Sequence, residues 1–149
     1  MFLQKRIGRH SIAFTIYKFR TIDPENGQVS RVSRFMRNSK LDELPQLWNV
    51  VTGDMSLVGP RPDVEGYYDT LTGSDRKVLE LRPGITGPAS LKYFDEENLL
   101  GRQEDGQKYN DEVIFPDKVK INLAYLQERS LWLDVKIILG SVAGIFSAK

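Results

Sequence analysis

The chain has 149 residues, 40% of them apolar and 28% charged, enough to bury a core and too apolar for a disordered segment. It has no cysteine and one histidine, His10, which excludes disulfides, thiolate metal sites and cysteine nucleophiles and leaves any chemistry to carboxylates, lysines and arginines. The net charge of +1 hides an asymmetry, because residues 1–40 hold nine basic side chains against two acidic ones while the remainder holds 12 against 18. A basic first third suits an anionic partner such as nucleotide phosphates, lipid headgroups or nucleic acid, and equally suits a solvated face.

"FLQKRIG" and "SIAFTIYKFRTI", separated by "RHS", predict an N-terminal β-hairpin with His10 in its turn. Strand alternation puts Phe14, Ile16 and Lys18 on one face, Tyr17 and Phe19 on the other, and aims Arg20 to the side of Lys18. "DPENGQ" (23–28) is turn chemistry. A short basic helix is expected over 32–38, with Val32, Phe35 and Met36 inward and Arg31, Arg34 and Arg37 outward or flanking. A second helix over 42–51 carries Leu44, Leu47, Trp48 and Val51 at three- and four-residue spacing. "TGDMSLVGPRPDV" reads as turn-rich and extended, 63–71 and 74–81 as short helices, and "RPGITGPAS" (82–90) as irregular. Residues 94–112 form an acidic loop with a helical piece. Pro116 opens a helix over 116–128. The last helix, about 131–146, is almost wholly apolar and suits either core packing or a membrane interface with Trp132 at headgroup level. Trp48, Trp132 and Tyr125 read as core residues.

No stretch reaches the ~18 consecutive apolar residues of a membrane span, and the charged first 20 residues lack the apolar run of a signal peptide. With no repeat, low-complexity segment or linker, the organisation expected is one domain over 1–149.

Three motifs could carry chemistry. The adjacent carboxylates Asp42 and Glu43 have a plain structural explanation, since Ser39-Lys40-Leu41-Asp42 fits a capping box and acidic residues gain up to ~1 kcal/mol at a helix start. The chemical explanation is that one carboxylate attacks phosphorus while the other binds Mg²⁺, with Lys18, Arg20, Arg37 and Arg61 neutralising the phosphates. "GPRP" (59–62) holds Arg61 between two prolines, a stiff mount for a guanidinium whose fork matches phosphate oxygens, or a turn with a solvated arginine. "RPGITG" (82–87) is a rigid turn that could present Arg82 or backbone N–H groups to an anion.

Taken in order, "KFRTI" (18–22), "LDELPQLWNV" (41–50), "GDMSLVGPRP" (53–62), "RPGITG" (82–87) and "SLWLDVKII" (130–138) resemble the bacterial sugar transferases, the small monotopic phosphoglycosyl transferases, over nearly the whole chain. The resemblance implies an α+β, mostly helical fold: an N-terminal β-hairpin, short helices and a C-terminal helical pair. It implies transfer of a sugar-1-phosphate from a UDP-sugar to polyprenyl (undecaprenyl) phosphate, with release of UMP and use of Mg²⁺. That reaction starts capsule, exopolysaccharide or lipopolysaccharide assembly at the cytoplasmic face of the bacterial inner membrane. Asp42 would then be the nucleophile of an aspartyl-phosphosugar intermediate and Glu43 the metal ligand. Lys18, Arg37 and Arg61 would contact phosphate or nucleotide, and Gln46 belongs to the dyad motif. An anionic membrane surface is the expected further partner, and self-association is left open.

Three departures accompany the resemblance. Family members carry a hydrophobic re-entrant membrane helix before the hairpin, so the expectation is a chain without that segment. "GITGPASL" stands where many read "GITGWAQV", and Asn122 stands where many carry Asp. Two other classes fit parts of the sequence: an anion-binding scaffold module, and a nucleic-acid-binding domain. The second lacks any recognition-helix motif or aromatic–basic interleaving, so no nucleic acid is expected as partner.

Overall fold

The chain opens on the expected hairpin. β1 (Phe2–Ile7) and β2 (Ala13–Lys18) pair antiparallel in register from Phe2 opposite Lys18 to Ile7 opposite Ala13. The computed structural model describes residues 1–25 and 27–147, so Asn26 of the expected turn and the last two residues of the expected domain lie outside the described residues. His10 and Ser11 take positive φ in the hairpin turn, and the Gly8 N–H closes it on the Ile12 carbonyl at 2.9 Å. Residues directly opposite share a face, so Gln4, Arg6, Phe14, Ile16 and Lys18 lie together, anchored by Ile16 in the core.

Helix α1 (Arg31–Asn38) starts where Ser30 Oγ accepts the Ser33 N–H, and it ends where Ser39 Oγ donates to the Phe35 carbonyl. It buries nothing. Val32, expected inward, is 69% exposed, and Phe35 is exposed as well. The amphipathic pattern is present but faces outward. The same inversion appears in α2 (Gln46–Thr52), where Leu47, Trp48 and Val51 are exposed while Gln46 and Asn49 are buried. Trp48, expected in the core, is 61% exposed, and Trp132 is exposed too.

The reason lies at the edge of β2. Asn49 is fully buried, its Nδ2 donating to the Thr15 carbonyl at 2.8 Å and its Oδ1 accepting from the Tyr17 N–H at 3.4 Å. The carboxamide therefore pairs with the open strand edge as a further strand's peptide group would, and blunts an edge that would otherwise invite association. A helix docked by an amide turns its polar face inward, and its apolar face is left outside.

β3 (Ser56–Val58) and β4 (Gly84–Thr86) form a second, parallel pair. The segment 82–90, expected to be irregular, thus supplies a strand and then the helix α3 (Pro88–Lys92). Residues 63–81 contain two 3₁₀ turns, Tyr68–Thr70 and Asp75–Glu80. The acidic stretch holds α4 (Glu96–Gly101) and α5 (Gly106–Tyr109), and a π turn (Asn110–Ile114) leads into α6 (Phe115–Glu128), with Pro116 in its first turn. Helix α7 (Leu131–Ser147) closes the chain, giving an α+β fold with the expected hairpin and C-terminal helical pair.

One core cluster joins Ile7 to Tyr68, Val78, Leu79 and Val119, and another joins Val58 and Leu81 to Tyr125 and Ile137. Tyr125 is buried as expected and donates to Asp134 Oδ1 at 2.5 Å. Helix α7 packs one face into the core, as one of the two expectations had it, and leaves the other exposed. Leu133, Ile137 and Ile138 pack inward, while Trp132, Val135, Leu139 and Val142 stay exposed at helical spacing.

Replacing Asn49 by Leu keeps the bulk and removes both edge hydrogen bonds, leaving the Tyr17 N–H and Thr15 carbonyl buried without partners. The variant is expected to lose about 2 kcal/mol, read as a lower urea midpoint. A wild-type midpoint would remove Asn49 from this role.

Candidate active site

Asp42 and Glu43 do not cap a helix. They lie in a single 3₁₀ turn, Leu41–Glu43, while α2 begins only after Pro45. Ser39, the expected capping residue, faces back to close α1. Lys40 enters the turn in the left-handed conformation (φ 56), uncommon for a residue with a Cβ and a mark of a backbone held by its surroundings. The Phe19 N–H donates to the Asp42 carbonyl at 2.9 Å, so the end of the hairpin holds the turn in place.

Glu43 turns inward, its side chain 7% exposed, and meets two cations. Lys18 Nζ donates to Oε1 at 3.1 Å, while Arg61 pairs with the same oxygen and also donates to Oε2 at 3.3 Å. Burial pushes the Glu43 carboxyl up, but Arg61 and Lys18 outweigh it and hold the group at about 2. Asp42 is the opposite case. Burial pushes its carboxyl above the usual aspartate range, the Glu43 charge adds to this, and Lys18 and Lys40 only partly oppose them. Its Oδ1 is buried with no hydrogen-bond partner among the described residues. Two adjacent carboxylates therefore differ sharply: one is neutralised and locked, the other half-buried, raised in pKa and unpartnered at one oxygen.

Arg61 reaches Glu43 because three glycines let two strands approach closely. A Cβ on Gly59 would lie 2.2 Å from the Arg82 carbonyl oxygen, one on Gly84 2.2 Å from the Gly59 nitrogen, and one on Gly87 2.1 Å from the Gly59 carbonyl oxygen. The Gly84 N–H donates to the Pro60 carbonyl at 2.8 Å, and the Ile7 N–H to the Asp63 carbonyl at 2.9 Å. The "GPRP" arm is thus pinned at both ends, by β4 and by the hairpin. "RPGITG" serves as the clamp of that arm.

These groups line a cleft of about 1700 Å³. Lys18, Asp42, Glu43 and Arg61 meet within it, and Arg20 and Arg37 line the same cleft, Arg37 donating to the Glu97 carboxylate at 3.1 Å. Gln46 is buried in the first turn of α2 and is not among the lining residues, and Arg82 is exposed away from the cleft. Sequence reasoning missed Arg6, Asp63, Tyr68 and Lys118, all in the lining, and marked Asn122, also in the lining, only as a departure from the family pattern. Arg6 was legible in principle, because the register opposite Phe14 places it on the face of Lys18. The others come from distant segments and carried no local signal.

Among the described residues no cluster of three or more acidic, histidine or cysteine side chains gathers to hold a metal. Mg²⁺ does not need one, since it keeps several waters and takes one or two carboxylates plus substrate phosphates. The unpartnered Asp42 oxygen fits that demand. Glu43 can join only by giving up a contact with Lys18 or Arg61.

The chain matches the family model described as bacterial sugar transferase over residues 1–148. It is 32% identical to the galactosyl transferase CpsE of Streptococcus agalactiae serotype III (strain NEM316), over 93% of this chain and 33% of that protein. It is 34% identical to the uncharacterized sugar transferase EpsL of Bacillus subtilis (strain 168), over 92% of this chain and 65% of that protein. It is also 34% identical to a UDP-glucose:undecaprenyl-phosphate glucose-1-phosphate transferase of Caulobacter vibrioides (strain ATCC 19089 / CIP 103742 / CB 15), over 99% and 57% respectively. The chain therefore spans between a third and about two thirds of the length of these relatives.

Because folding lowers the Glu43 pKa from its ordinary 4.5 to about 2, its contribution to stability is complete above pH 4.5 and fades as pH falls toward 2. Glu43→Gln is expected to cost about 2–3 kcal/mol at pH 7 through two weakened charge-assisted contacts. Urea titrations of both proteins from pH 7 to pH 3 should show the gap narrowing below pH 4.5. A gap independent of pH would refute the pairing as its cause.

Proposed function

The chain belongs to the bacterial sugar transferase family, and we propose that it moves a sugar-1-phosphate from a UDP-sugar onto polyprenyl phosphate of the undecaprenyl kind, releasing UMP. The observation that carries this reading is the asymmetry of the dyad: an Asp42 oxygen left without a partner in the cleft wall beside a Glu43 already neutralised by Lys18 and Arg61. The Caulobacter relative, a UDP-glucose:undecaprenyl-phosphate glucose-1-phosphate transferase, supports the substrate class.

In the first step an Asp42 carboxylate oxygen attacks the β-phosphorus. The bond to the bridging oxygen breaks, and UMP leaves with the electron pair. In the second step an oxygen of polyprenyl phosphate attacks the same phosphorus, the acyl-phosphate bond breaks, and Asp42 is regenerated. Splitting one displacement into two lets a soluble donor and a lipid acceptor use one site in turn. The raised pKa of Asp42 makes it the more basic, and so the more nucleophilic, of the two carboxylates. Lys18 and Arg61 offset the charge of the incoming diphosphate, and Arg20 and Arg37 lie on its approach. Asp42 would hold Mg²⁺, joined by Glu43 if it released Lys18 or Arg61, and the ion when bound would supply further neutralisation of the diphosphate.

The outward apolar faces belong to the same reading. Leu44, Leu47, Trp48 and Val51, joined by Phe19, Val32 and Phe35 from neighbouring segments, lie among exposed Arg20, Arg31, Arg34 and Lys40. Apolar and aromatic side chains mixed with cations suit contact with an anionic bilayer surface, where each cation adds about 1 kcal/mol. Among the described residues no helix is long and apolar enough to cross a membrane. We assign this face to the cytoplasmic leaflet of the inner membrane, where the lipid acceptor for capsule or exopolysaccharide assembly would be met.

Asp42→Asn is expected to lower UMP release by at least about 10³-fold, and to abolish a covalent phosphosugar adduct detectable by intact mass after mixing with the UDP-sugar alone. Turnover near the wild-type rate would remove Asp42 as nucleophile. Trp48→Glu should weaken partition onto anionic vesicles by about tenfold or more while leaving UMP release from the UDP-sugar with polyprenyl phosphate in detergent unchanged. Undiminished vesicle binding would dissociate this face from the membrane.

A further inference from the structure

Beside the dyad, the same cleft holds a second polar group that the mechanism does not use. Asn122, on α6, is fully buried. Its Nδ2 donates to Tyr68 Oη at 3.2 Å, while its Oδ1 has no hydrogen-bond partner among the described residues. Arg6, on β1, is linked to this group through Asp63, which it pairs with and whose charge acts on the Tyr68 hydroxyl. Its Nη2 donates to Gln4 at 2.7 Å and its Nη1 lies 3.8 Å from Asp63, but its Nε is also buried without a partner among the described residues. Both residues line the cleft, and the charges of Arg61 and Glu43 act on Arg6, so the group adjoins the dyad. Two buried orphan atoms, one acceptor and one donor, are a cost to the fold unless something in the cleft satisfies them.

The chemistry of that occupant follows from charge. The two cations here are already matched, Arg6 by Asp63 and Lys118 by Glu96 at 2.7 Å, so no net positive charge remains for a phosphate. The carboxylates would repel one. Asn122 Oδ1 needs a donor and Arg6 Nε an acceptor, demands that the hydroxyls of a polyol can meet, since a hydroxyl both donates and accepts. We infer that Asn122 and Arg6 form a polyol subsite that holds hydroxyls of the hexosyl group of the nucleotide-sugar donor. This rests on the transferase reading above. The hexosyl group is bonded to the phosphorus that Asp42 attacks, and therefore lies next to the dyad, whereas the ribose is one phosphate further off. A site that hydrogen-bonds a substrate hydroxyl discriminates strongly against an analogue lacking it, because its own buried groups are then left unpaired. Asn122 and Arg6 would be specificity-determining residues.

The test compares the affinity of UDP with that of UDP-glucose, UDP-galactose and their N-acetylated forms by calorimetry, in wild type, Asn122→Leu and Arg6→Met. In wild type, at least one UDP-sugar should bind tighter than UDP. Each variant should shrink that margin by about tenfold or more while leaving UDP affinity within about twofold. Asn122→Asp, which keeps an acceptor oxygen, should retain more of the margin than Asn122→Leu. A shared unfolding midpoint separates the effect from misfolding, and Arg6→Met, on a strand rather than in the core, covers a failure of Asn122→Leu to fold. Equal loss for UDP and the UDP-sugars would place the contact on the ribose and overturn the hexosyl assignment. An unchanged margin would overturn the subsite, with water as its occupant. UMP release by wild type is measured in parallel. Its absence with every UDP-sugar would sink the transferase reading, while the binding margins would still decide the subsite.

Discussion

The site depends on one buried carboxylate. Glu43 joins Lys18 from the hairpin to Arg61 from the "GPRP" arm, and its own turn supplies Asp42, so three segments distant in sequence meet at one anion. A buried charge is costly, and a buried pair is seldom a net gain over well-packed apolar groups. What the pairing gives is position. With both cations held on Glu43, neither closes on Asp42, whose oxygen stays without a partner and whose carboxyl stays raised by burial and by the neighbouring charge. Loss of either cation would change the field at Asp42 as well as the stability of the fold.

Backbone contacts determine whether that arrangement forms. The Phe19 N–H holds the Asp42 carbonyl, the Ile7 N–H holds that of Asp63, and Asn49 seals the far edge of β2. The two-stranded hairpin therefore spaces the acidic turn from the arginine arm. A hairpin alone is marginal in water. Here Ile16 sits in the core and Ile7 joins the cluster of Tyr68, Val78, Leu79 and Val119, so the spacer is as rigid as the apolar packing behind it.

Much of this was legible in the sequence, and the remainder failed for identifiable reasons. Strand alternation found the hairpin, and the order of motifs found the dyad and the family. Periodicity found α1, α2 and α7 as helices, but could not say which face was inside. In α2 the deciding residue is Asn49, a polar side chain at a core position, which hydropathy patterns read as solvent-facing. The capping box was misread for a related reason. Ser39 can close the helix before it as readily as open the one after it, and the left-handed Lys40 breaks the continuity a box requires. "RPGITG" was read as irregular from its glycines, yet those glycines permit the contact of less than a Cβ's width that makes a strand there. Asn122, Tyr68 and Arg6 converge only in three dimensions, and no spacing rule brings them together.

The inverted helix and the open aspartate answer the same constraint. Under the proposed transfer, a site that accepts both a charged, soluble donor and a phosphate on a lipid needs a polar floor and an apolar approach within a few side chains of each other. An ordinary amphipathic helix would bury its leucines and leave the carboxylates facing water, where ordinary solvation would return Asp42 to an unremarkable pKa. Docking α2 through Asn49 reverses this. The polar face of Gln46 and Asn49 turns inward against the hairpin, and the apolar side chains Leu47 and Trp48, with Leu44 just before the helix, are presented beside the cleft that Leu44 and Leu47 also line. An exposed stripe of that size is a liability in free solution. It ceases to be one if the surface it meets is itself apolar, so the folding cost of the inversion and the need to meet a lipid substrate are offset by the same contact.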